Sequence, residues 1–354
     1  MKNFRWMKVA LSVLIFGMTF GTLTGCNGGN GIGTKVVLTT GFDKDEVFRI
    51  ETSSCTLPEL MVYLTNIQNR YESVYGEEIW ETNVDGVTLE ENVKNMALAQ
   101  IARIKTMNLM AEKYQVELNE EEKAGVENAS RAYYDSLTES EIEKMGVNEK
   151  TIRTLYSEFA LAQKVYQYTI KDINPEISDD EARTITVQHI LIKTYALDGT
   201  GRKIEYTQQA REEAYELACE VLRLARDGED FEELIRKYNE DDQSTYSFGK
   251  GEMDPAFETA AFNLGTDEIS DVVETEYGYH IIKCLTTFDK DETDANKVKI
   301  VEQRREEAFG QEYDAYVATL TRNLNEELWD SVAFIHDDEV NTQDFFRVYS
   351  EYFE

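Results

Sequence analysis

The chain has 354 residues, of which 42% are hydrophobic and 11% aromatic, and this composition is typical of a folded protein with more than one domain. Its formal net charge is −33, from 36 Lys and Arg against 69 Asp and Glu. This excess of acid argues against a nucleic-acid ligand, because affinity for a phosphate backbone comes from clustered Lys and Arg.

Residues 1–25 have the charge order of a bacterial signal peptide. Basic residues precede an apolar run at 9–20, which is too short to span a bilayer as a stable helix. The run ends in Leu-x-Gly-Cys, which resembles a lipobox, and the resemblance implies cleavage before Cys26 and a diacylglyceryl group on its thiol. We expect residues 26–34, rich in Gly and Asn, to be a flexible tether that holds the chain at the outer face of the cytoplasmic membrane. An uncleaved anchor or a secretory peptide with a chance cysteine is the alternative.

A mostly helical domain is predicted for residues 35–180, with a short extended segment at 47–50 before the first helix. Apolar residues recur at helical spacing in four segments. Each segment starts at a residue type that caps helices, namely Thr56, Thr88, Asn119 and Asn148. Met and Tyr recur on these faces, and they predict either an adhesive client-binding surface or an ordinary helix core, of which the spacing favours the core.

A domain boundary is predicted at Pro175, because the residue before a proline is pushed out of the helical region. Residues 182–287 then change to strand-like periodicity, starting with the β-branched run at 185–192. A helix is predicted over 208–226, and the whole segment reads as β-α-α-α-β-β. This order indicates a compact α+β domain.

Residues 288–354 are predicted to be helical again at their start. We expect 331–335 to form a short strand that pairs with 47–50, and 337–354 to be a loosely held tail. The predicted fold class is therefore α+β, with an antiparallel-sheet domain inserted between the parts of a mostly helical chaperone domain.

Three cysteines remain after Cys26, and an odd number in an exported chain argues against a disulfide framework. Cys219 and Cys284 fall inside apolar patterns and are expected to be buried. No pair has the spacing of zinc ligands, so we expect neither a metal nor a cofactor.

Five motifs over 184–286 resemble those of parvulin peptidyl-prolyl isomerases, and their occurrence in order makes the resemblance specific. They are Val187-x-His189-Ile190-Leu191, Phe231-x-x-Leu234 with Tyr238-Asn239-Glu240-Asp241, Phe248-Gly249-x-Gly251-x-Met253, Pro255-x-Phe257-Glu258-x-Ala260-Ala261-Phe262, and Glu268-Ile269-Ser270 leading to Thr275-x-x-Gly278-Tyr279-His280-Ile281-Ile282. Together with the lipobox and the helical region, the chain is similar to the PrsA-like extracytoplasmic foldases of Gram-positive bacteria. The helical region also resembles, more loosely, the chaperone domain of SurA-like proteins.

For the proline ring, the resemblance implies a floor of Met253 and Phe257 backed by Phe262. An apolar pocket that desolvates the prolyl amide favours its twisted state, so no covalent chemistry is needed. Many parvulins carry a Leu that lines this pocket where the present chain has Thr245. We expect this departure to weaken one wall of the pocket. Together with Tyr277, which stands where parvulins often have a small residue, it is expected to lower isomerase efficiency more than it alters the fold.

For the polar side of the site, the resemblance implies a buried pair of His189 and His280 with Thr275 hydrogen-bonded beside them. Asp241 is expected to face the substrate carbonyl or a neighbouring group. The histidines are expected to orient and to hydrogen-bond, not to transfer protons. The alternatives are plain core histidines or a metal pair, and the absence of a carboxylate or Cys at ligand spacing argues against a metal.

The sequence thus predicts a foldase that isomerises X–Pro bonds in unfolded or partly folded exported proteins, with a helical domain that holds the client. The alternative is a holdase chaperone whose parvulin domain has little or no activity. A surface adhesin or nutrient-binding lipoprotein would need a ligand pocket to which no sequence feature points. The sequence does not decide between a monomer and a homodimer.

Overall fold

The computed structural model describes residues 41–84, 86–199 and 202–353. The predicted signal peptide at 1–25, Cys26 and the tether at 26–34 therefore lie outside the described residues. Within the described ranges, no helix is both long enough and apolar enough to cross a lipid bilayer.

The first part of the described chain is mostly helical. Its elements are β1 (Glu46–Ile50), β2 (Ser53–Thr56), α1 (Leu57–Tyr75), a 3-10 helix (Glu77–Glu81), β3 (Asn83–Val84), β4 (Val87–Thr88), α2 (Leu89–Tyr114), α3 (Glu120–Ser136), α4 (Glu139–Met145) and α5 (Glu149–Ile170). The four predicted helix starts are confirmed, and reciprocal capping boxes form at Asn119 and Asn148. The unpredicted α4 has seven residues, too few for a clear periodic signal.

The core of this helical part is aromatic. Phe345 stacks on Tyr156 at a centroid distance of 4.4 Å and lies 5.3 Å from Tyr133 and 5.4 Å from Tyr63. All four side chains are fully buried. Tyr63, Tyr133 and Tyr156 are therefore core residues, which is the interpretation that the spacing favoured.

A second, sheet-containing part follows, which we call the sheet domain (185–286). Its elements are β5 (Ile185–Lys193), β6 (Tyr195–Leu197), β7 (Lys203–Glu205), α6 (Gln208–Arg226), α7 (Phe231–Tyr238), β8 (Thr245–Phe248), α8 (Pro255–Phe262), β9 (Val273–Thr275) and β10 (Gly278–Thr286). The antiparallel sheet has the strand order β8-β5-β10-β9, and β6 and β7 form a separate hairpin. The bounds of α6 are those predicted, whereas β8, β6 and β7 were not predicted.

The two faces of this sheet are covered by different helices, because successive side chains of a strand point to opposite faces. On one face, Ile190, Ile192 and Ile281 pack with residues of α6 and α7. On the other face, Val187 and Ile282 pack with residues of α8. The site described below lies on the α8 face.

The chain returns to the helical part through α9 (Lys290–Val317), β11 (Arg322–Leu324), α10 (Glu326–Asp330) and α11 (Phe345–Phe353). The return to β1 is as predicted, but the predicted partner is wrong: β11 pairs with β1, and 331–335 is not a strand. Val332 and Phe334 are instead buried as anchors of a loop, with the Phe334 ring 4.6 Å from that of Trp80.

Two further expectations are wrong. Residues 337–354 are not a loose tail, since α11 places Phe345 at the centre of the aromatic core. Cys219 is exposed, because the buried stripe of α6 runs through Ala214, Ala218 and Val221, beside the cysteine. Cys284 is buried as predicted. The fold class is α+β, with an antiparallel sheet and helical regions on either side of it in the chain.

Candidate active site

The structure brings His189 of β5 and His280 of β10 together on the α8 face of the sheet. Because His189 pairs with Ile282 in the strand register, the two histidines are diagonal neighbours. Their Nδ1 atoms are 3.1 Å apart, and their rings are nearly parallel, at 18°. Both side chains are buried.

The hydrogen-bond partners determine which nitrogen of each histidine carries a proton. His189 Nε2 lies 3.1 Å from the carbonyl oxygen of Gln243, which can only accept, so Nε2 is the donor. In a neutral ring, His189 Nδ1 must then accept, and His280 Nδ1 donates to it.

The same reasoning extends to Thr275. His280 Nε2 is left as an acceptor and receives the hydroxyl proton of Thr275 across 2.8 Å. The Thr275 oxygen in turn accepts from the backbone N–H of Tyr277 at 3.1 Å. The network therefore runs in one direction, from the β9–β10 turn to the Gln243 carbonyl, with both histidines neutral.

Burial favours this neutral state. Desolvation lowers the pKa of His189 below its usual value of 6.5. Desolvation, together with the nearby His189, lowers the pKa of His280 to about 4. Both rings are therefore uncharged at neutral pH.

A glycine makes the β9–β10 turn that presents Thr275. Gly278 pairs directly with Thr275, and only Glu276 and Tyr277 lie between them. The φ angle of Gly278 is +141°, and a Cβ there would lie 2.2 Å from the carbonyl oxygen of Ile192. The close approach of β10 to β5 thus requires glycine at this position.

Asp241 lies at the rim of the site, 3.2 Å from His189 Nε2 through its Oδ2 atom. Its loop is fixed to β5 by Asn239, whose side chain accepts from Leu191 N at 2.9 Å and donates to Asp241 O at 3.0 Å. The Asp241 side chain is 29% exposed, so the carboxylate is partly accessible to solvent.

Aromatic rings of α8 and β8 form an apolar surface against the histidines. The Phe257 ring stands edge-on to both imidazoles, 5.5 Å from His189 and 5.2 Å from His280. Met253 is partly buried in the same cluster. Phe262 contacts Phe248 at 5.8 Å, and so it lies behind this surface.

Thr245 is not part of this arrangement, and the expectation that it forms a pocket wall is corrected. In β8, Thr245 pairs with Gln188, whereas Tyr246 pairs with Val187 on the α8 face. Ser247, which shares the face of Thr245, contacts the Thr186 hydroxyl at 2.7 Å on the opposite side of the sheet. The period of two therefore turns Thr245 away from the histidines, and it is exposed.

Tyr246 faces the histidines instead and was missed from the sequence. Its ring lies 5.3 Å from that of His189, and its hydroxyl donates to Asp241 Oδ2 at 3.0 Å. Burial and this carboxylate raise the pKa of Tyr246 to about 12, so the hydroxyl keeps its proton. The available signal was the alternation of Tyr246 and Phe248, which predicts that both face the core of a strand.

Known proteins resemble this chain. Residues 189–286 match the rotamase family, described as a PPIC-type PPIASE domain. Foldase protein PrsA of Halalkalibacterium halodurans is 45% identical over 91 residues, a match that covers 24% of this chain and 27% of that relative. The crystal structure of PrsA from Bacillus cereus matches 76% of this chain and 97% of that chain, with 21% identity and a TM-score of 0.36.

A longer match covers most of a relative. Foldase protein PrsA of Geobacillus sp. strain WCH70 is 30% identical over 217 residues, which are 56% of this chain and 68% of that relative. The chain therefore belongs to the PrsA family of foldases, and its PPIC-type domain is a peptidyl-prolyl cis-trans isomerase of the parvulin type.

Proposed function

We propose that the sheet domain isomerises X–Pro bonds of exported proteins at the surface between Phe257, Met253 and the histidine pair. The observation that carries this proposal is an apolar floor set against two buried, uncharged imidazoles. Rotation about a prolyl amide faces a barrier of about 18–20 kcal/mol that arises from amide resonance. A site that removes water from the amide weakens its charge-separated form and binds the twisted state better than the planar one.

Each polar residue has a role in keeping this environment. The neutral histidines stiffen the floor beneath Phe257 without bringing a charge, and with it water, into the pocket. The partly exposed carboxylate of Asp241 lies at the rim, where the amide groups of an extended peptide can donate to it. We assign the histidines and Thr275 as positioning residues.

Tyr246 replaces the missing apolar wall. Its ring covers the side of the pocket that Thr245 does not reach. The hydrogen bond from its hydroxyl to Asp241 fixes the positions of the tyrosine ring and the carboxylate. This chain therefore has an aromatic wall with a polar tip.

We further propose that the chain works outside the cytoplasm, held at the membrane by a lipid on Cys26, and that its helical part holds unfolded clients. The lipobox-like sequence and the name of the relatives, foldase, support this proposal. The family relationship favours the foldase over the holdase.

A refolding experiment separates the two. The test protein should refold in two phases, with the slow phase limited by prolyl isomerisation. The full chain should accelerate that phase, and Met253→Ala should reduce the acceleration while still suppressing aggregation of the client. Unchanged acceleration by Met253→Ala, or suppression of aggregation with no acceleration by the unmodified chain, would refute the proposal.

A further inference from the structure

A second cleft lies on the opposite face of the sheet domain from the histidines. It has a volume of about 650 Å³, and its lining includes Tyr206, Arg211, Glu212, Tyr215, Glu216 and Glu274. Helix α6 forms one side, and the edge strand β9 with β10 forms the other. Of the lining residues, only Tyr279 of β10 belongs to one of the motifs, and the proposed isomerase mechanism uses none of them.

Tyrosine rings give the cleft its apolar surface. Tyr215 is 48% exposed and Tyr206 is 37% exposed, so both present open ring surface to solvent. The Tyr215 ring meets that of Tyr279 edge-on at 5.2 Å, which holds it in place. Exposed tyrosines grouped in this way attract cations to their ring faces.

The charges in the cleft are unbalanced. Arg211 is the one cation in its lining, and its guanidinium is paired with Glu274 at 2.8 Å. Glu212 accepts from the amide of Gln208 at 2.9 Å and has no cationic partner within the described ranges. Glu216 likewise has no ion pair in this part of the chain, so two negative charges stand beside the tyrosines without counter-charges.

We propose that this cleft binds a Lys or Arg side chain of an extended client polypeptide. The ring faces of Tyr206 and Tyr215 would receive the cation, and Glu212 and Glu216 would supply the complementary charge. The net charge of −33 on the whole chain adds a long-range attraction for basic segments.

The position of the cleft connects it to the isomerase site. Glu274 and Thr275 are consecutive residues of β9, and they point to opposite faces, one into the cleft and the other to His280. Strand β9 is an edge of the sheet and has three residues. A client chain that occupied both sites would therefore pass around this edge of the sheet. That the cation belongs to a client polypeptide rests on the proposed function. That the cleft prefers a cation rests only on the residues that line it.

The test uses a short peptide without proline, so that the isomerase site is not its target. One version carries a central Lys, and a matched version carries norleucine, which keeps the aliphatic chain and removes the charge. Each is titrated into the full chain while the amide resonances of Glu212, Tyr215 and Glu216 are followed by NMR. We expect the Lys peptide to shift these resonances in a saturable way and the norleucine peptide to bind at least threefold more weakly.

Variants locate the effect. Glu216→Gln and Tyr215→Ala should each weaken the Lys peptide by about two- to tenfold, the range for a lost ion pair or cation–π contact. Glu213→Gln is the matched control, because it removes the same charge from the same helix outside the cleft. Equal binding of the two peptides, or equal weakening by the Glu213 and Glu216 variants, would overturn the proposal.

The outcome is separable from that of the isomerase. The cleft variants should isomerise a short X–Pro peptide that lacks Lys and Arg at the unmodified rate. Failure of the isomerase proposal would appear as no activity in the unmodified chain, with the NMR titration unaffected.

Discussion

The hydroxyl of Tyr246 donates to Oδ2 of Asp241 across 3.0 Å, and the same carboxylate oxygen lies 3.2 Å from Nε2 of His189. The Asp241 carboxylate therefore connects Tyr246 to the histidine pair. This relationship changes how the departure at Thr245 is understood, since the neighbouring residue, Tyr246, is the one that faces the histidines and that we propose as the pocket wall.

Tyr246→Ala should lower kcat/KM for an X–Pro peptide by about tenfold, which corresponds to about 1.4 kcal/mol of lost transition-state binding. The reason is the loss of apolar surface at the proline pocket. Tyr246→Phe keeps the ring and removes only the hydroxyl bond, and it should lose less than about threefold. Both are measured in a prolyl-peptide isomerisation assay.

Thr245→Leu is the matched control for the wall. Because Thr245 points to the opposite face and is exposed, this change should leave kcat/KM within about twofold of the unmodified value. A large gain of activity in Thr245→Leu would mean that the wall is formed by this residue after all.

Stability should fall as the pH is lowered. Burial lowers the pKa of His280 from 6.5 to about 4 in the folded chain, so between these values the unfolded chain binds more protons than the folded chain. The free energy of unfolding therefore decreases on acidification through this window, by on the order of 3 kcal/mol for this group. Urea unfolding at pH 7 and pH 4.5 measures the change.

A variant assigns this pH dependence. His189→Gln/His280→Gln removes both titrating groups and should flatten the change between the two pH values. His336→Gln, at an exposed position outside the site, should leave it as in the unmodified chain. If the double variant lost as much unfolding free energy between pH 7 and pH 4.5 as the unmodified chain, the acid sensitivity would come from groups other than the histidine pair.

The helical part contains a buried ion cluster. Lys105 is 2% exposed, and its Nζ atom lies 3.1 Å from Glu59 Oε1 and 2.7 Å from Glu158 Oε1. Lys105→Met would leave two carboxylates without their cation, so we expect a loss of about 3–5 kcal/mol in the free energy of unfolding. Chemical denaturation measures this loss.

The matched control is Lys123→Met, which breaks an exposed pair with Glu120. It should change stability by about 0–1 kcal/mol. Similar losses in both variants would contradict the importance given to burial of the first cluster.

The C-terminal helix α11 should be essential to the helical part. Phe345→Ala removes a fully buried ring from among three tyrosines and should cost about 3–5 kcal/mol. Tyr352→Ala, on the same helix but 44% exposed, should cost less than about 1 kcal/mol. Stability is measured by denaturant unfolding. If Phe345→Ala left the free energy of unfolding unchanged, this segment would again have to be interpreted as a loose tail.

Much of the fold could be predicted where local signals are strong. The four N-terminal helix starts follow from capping residues, and α6 follows from a long periodic pattern that ends at Asp227-Gly228. The pairing of His189 with His280 could be expected from the resemblance to parvulins.

The remainder depends on tertiary contacts that a linear pattern does not contain. Strand β8 has only four residues, so its register, and with it the exchange of Thr245 for Tyr246 at the wall, is set by pairing with β5. Residues 331–335 have strand-like composition, but β1 pairs with the more polar β11, and Phe334 is used as an anchor instead. Propensity was overridden by packing in both cases.

The most direct test of the central claim is the rate of cis-trans exchange in an X–Pro peptide, measured by NMR exchange spectroscopy with a catalytic amount of the full chain. We predict exchange well above that of the free peptide, reduced about ten- to hundredfold in Phe257→Ala, since the apolar floor of the pocket is then lost. Exchange equal to that of the free peptide with the unmodified chain, or unchanged exchange in Phe257→Ala, would contradict the proposed site.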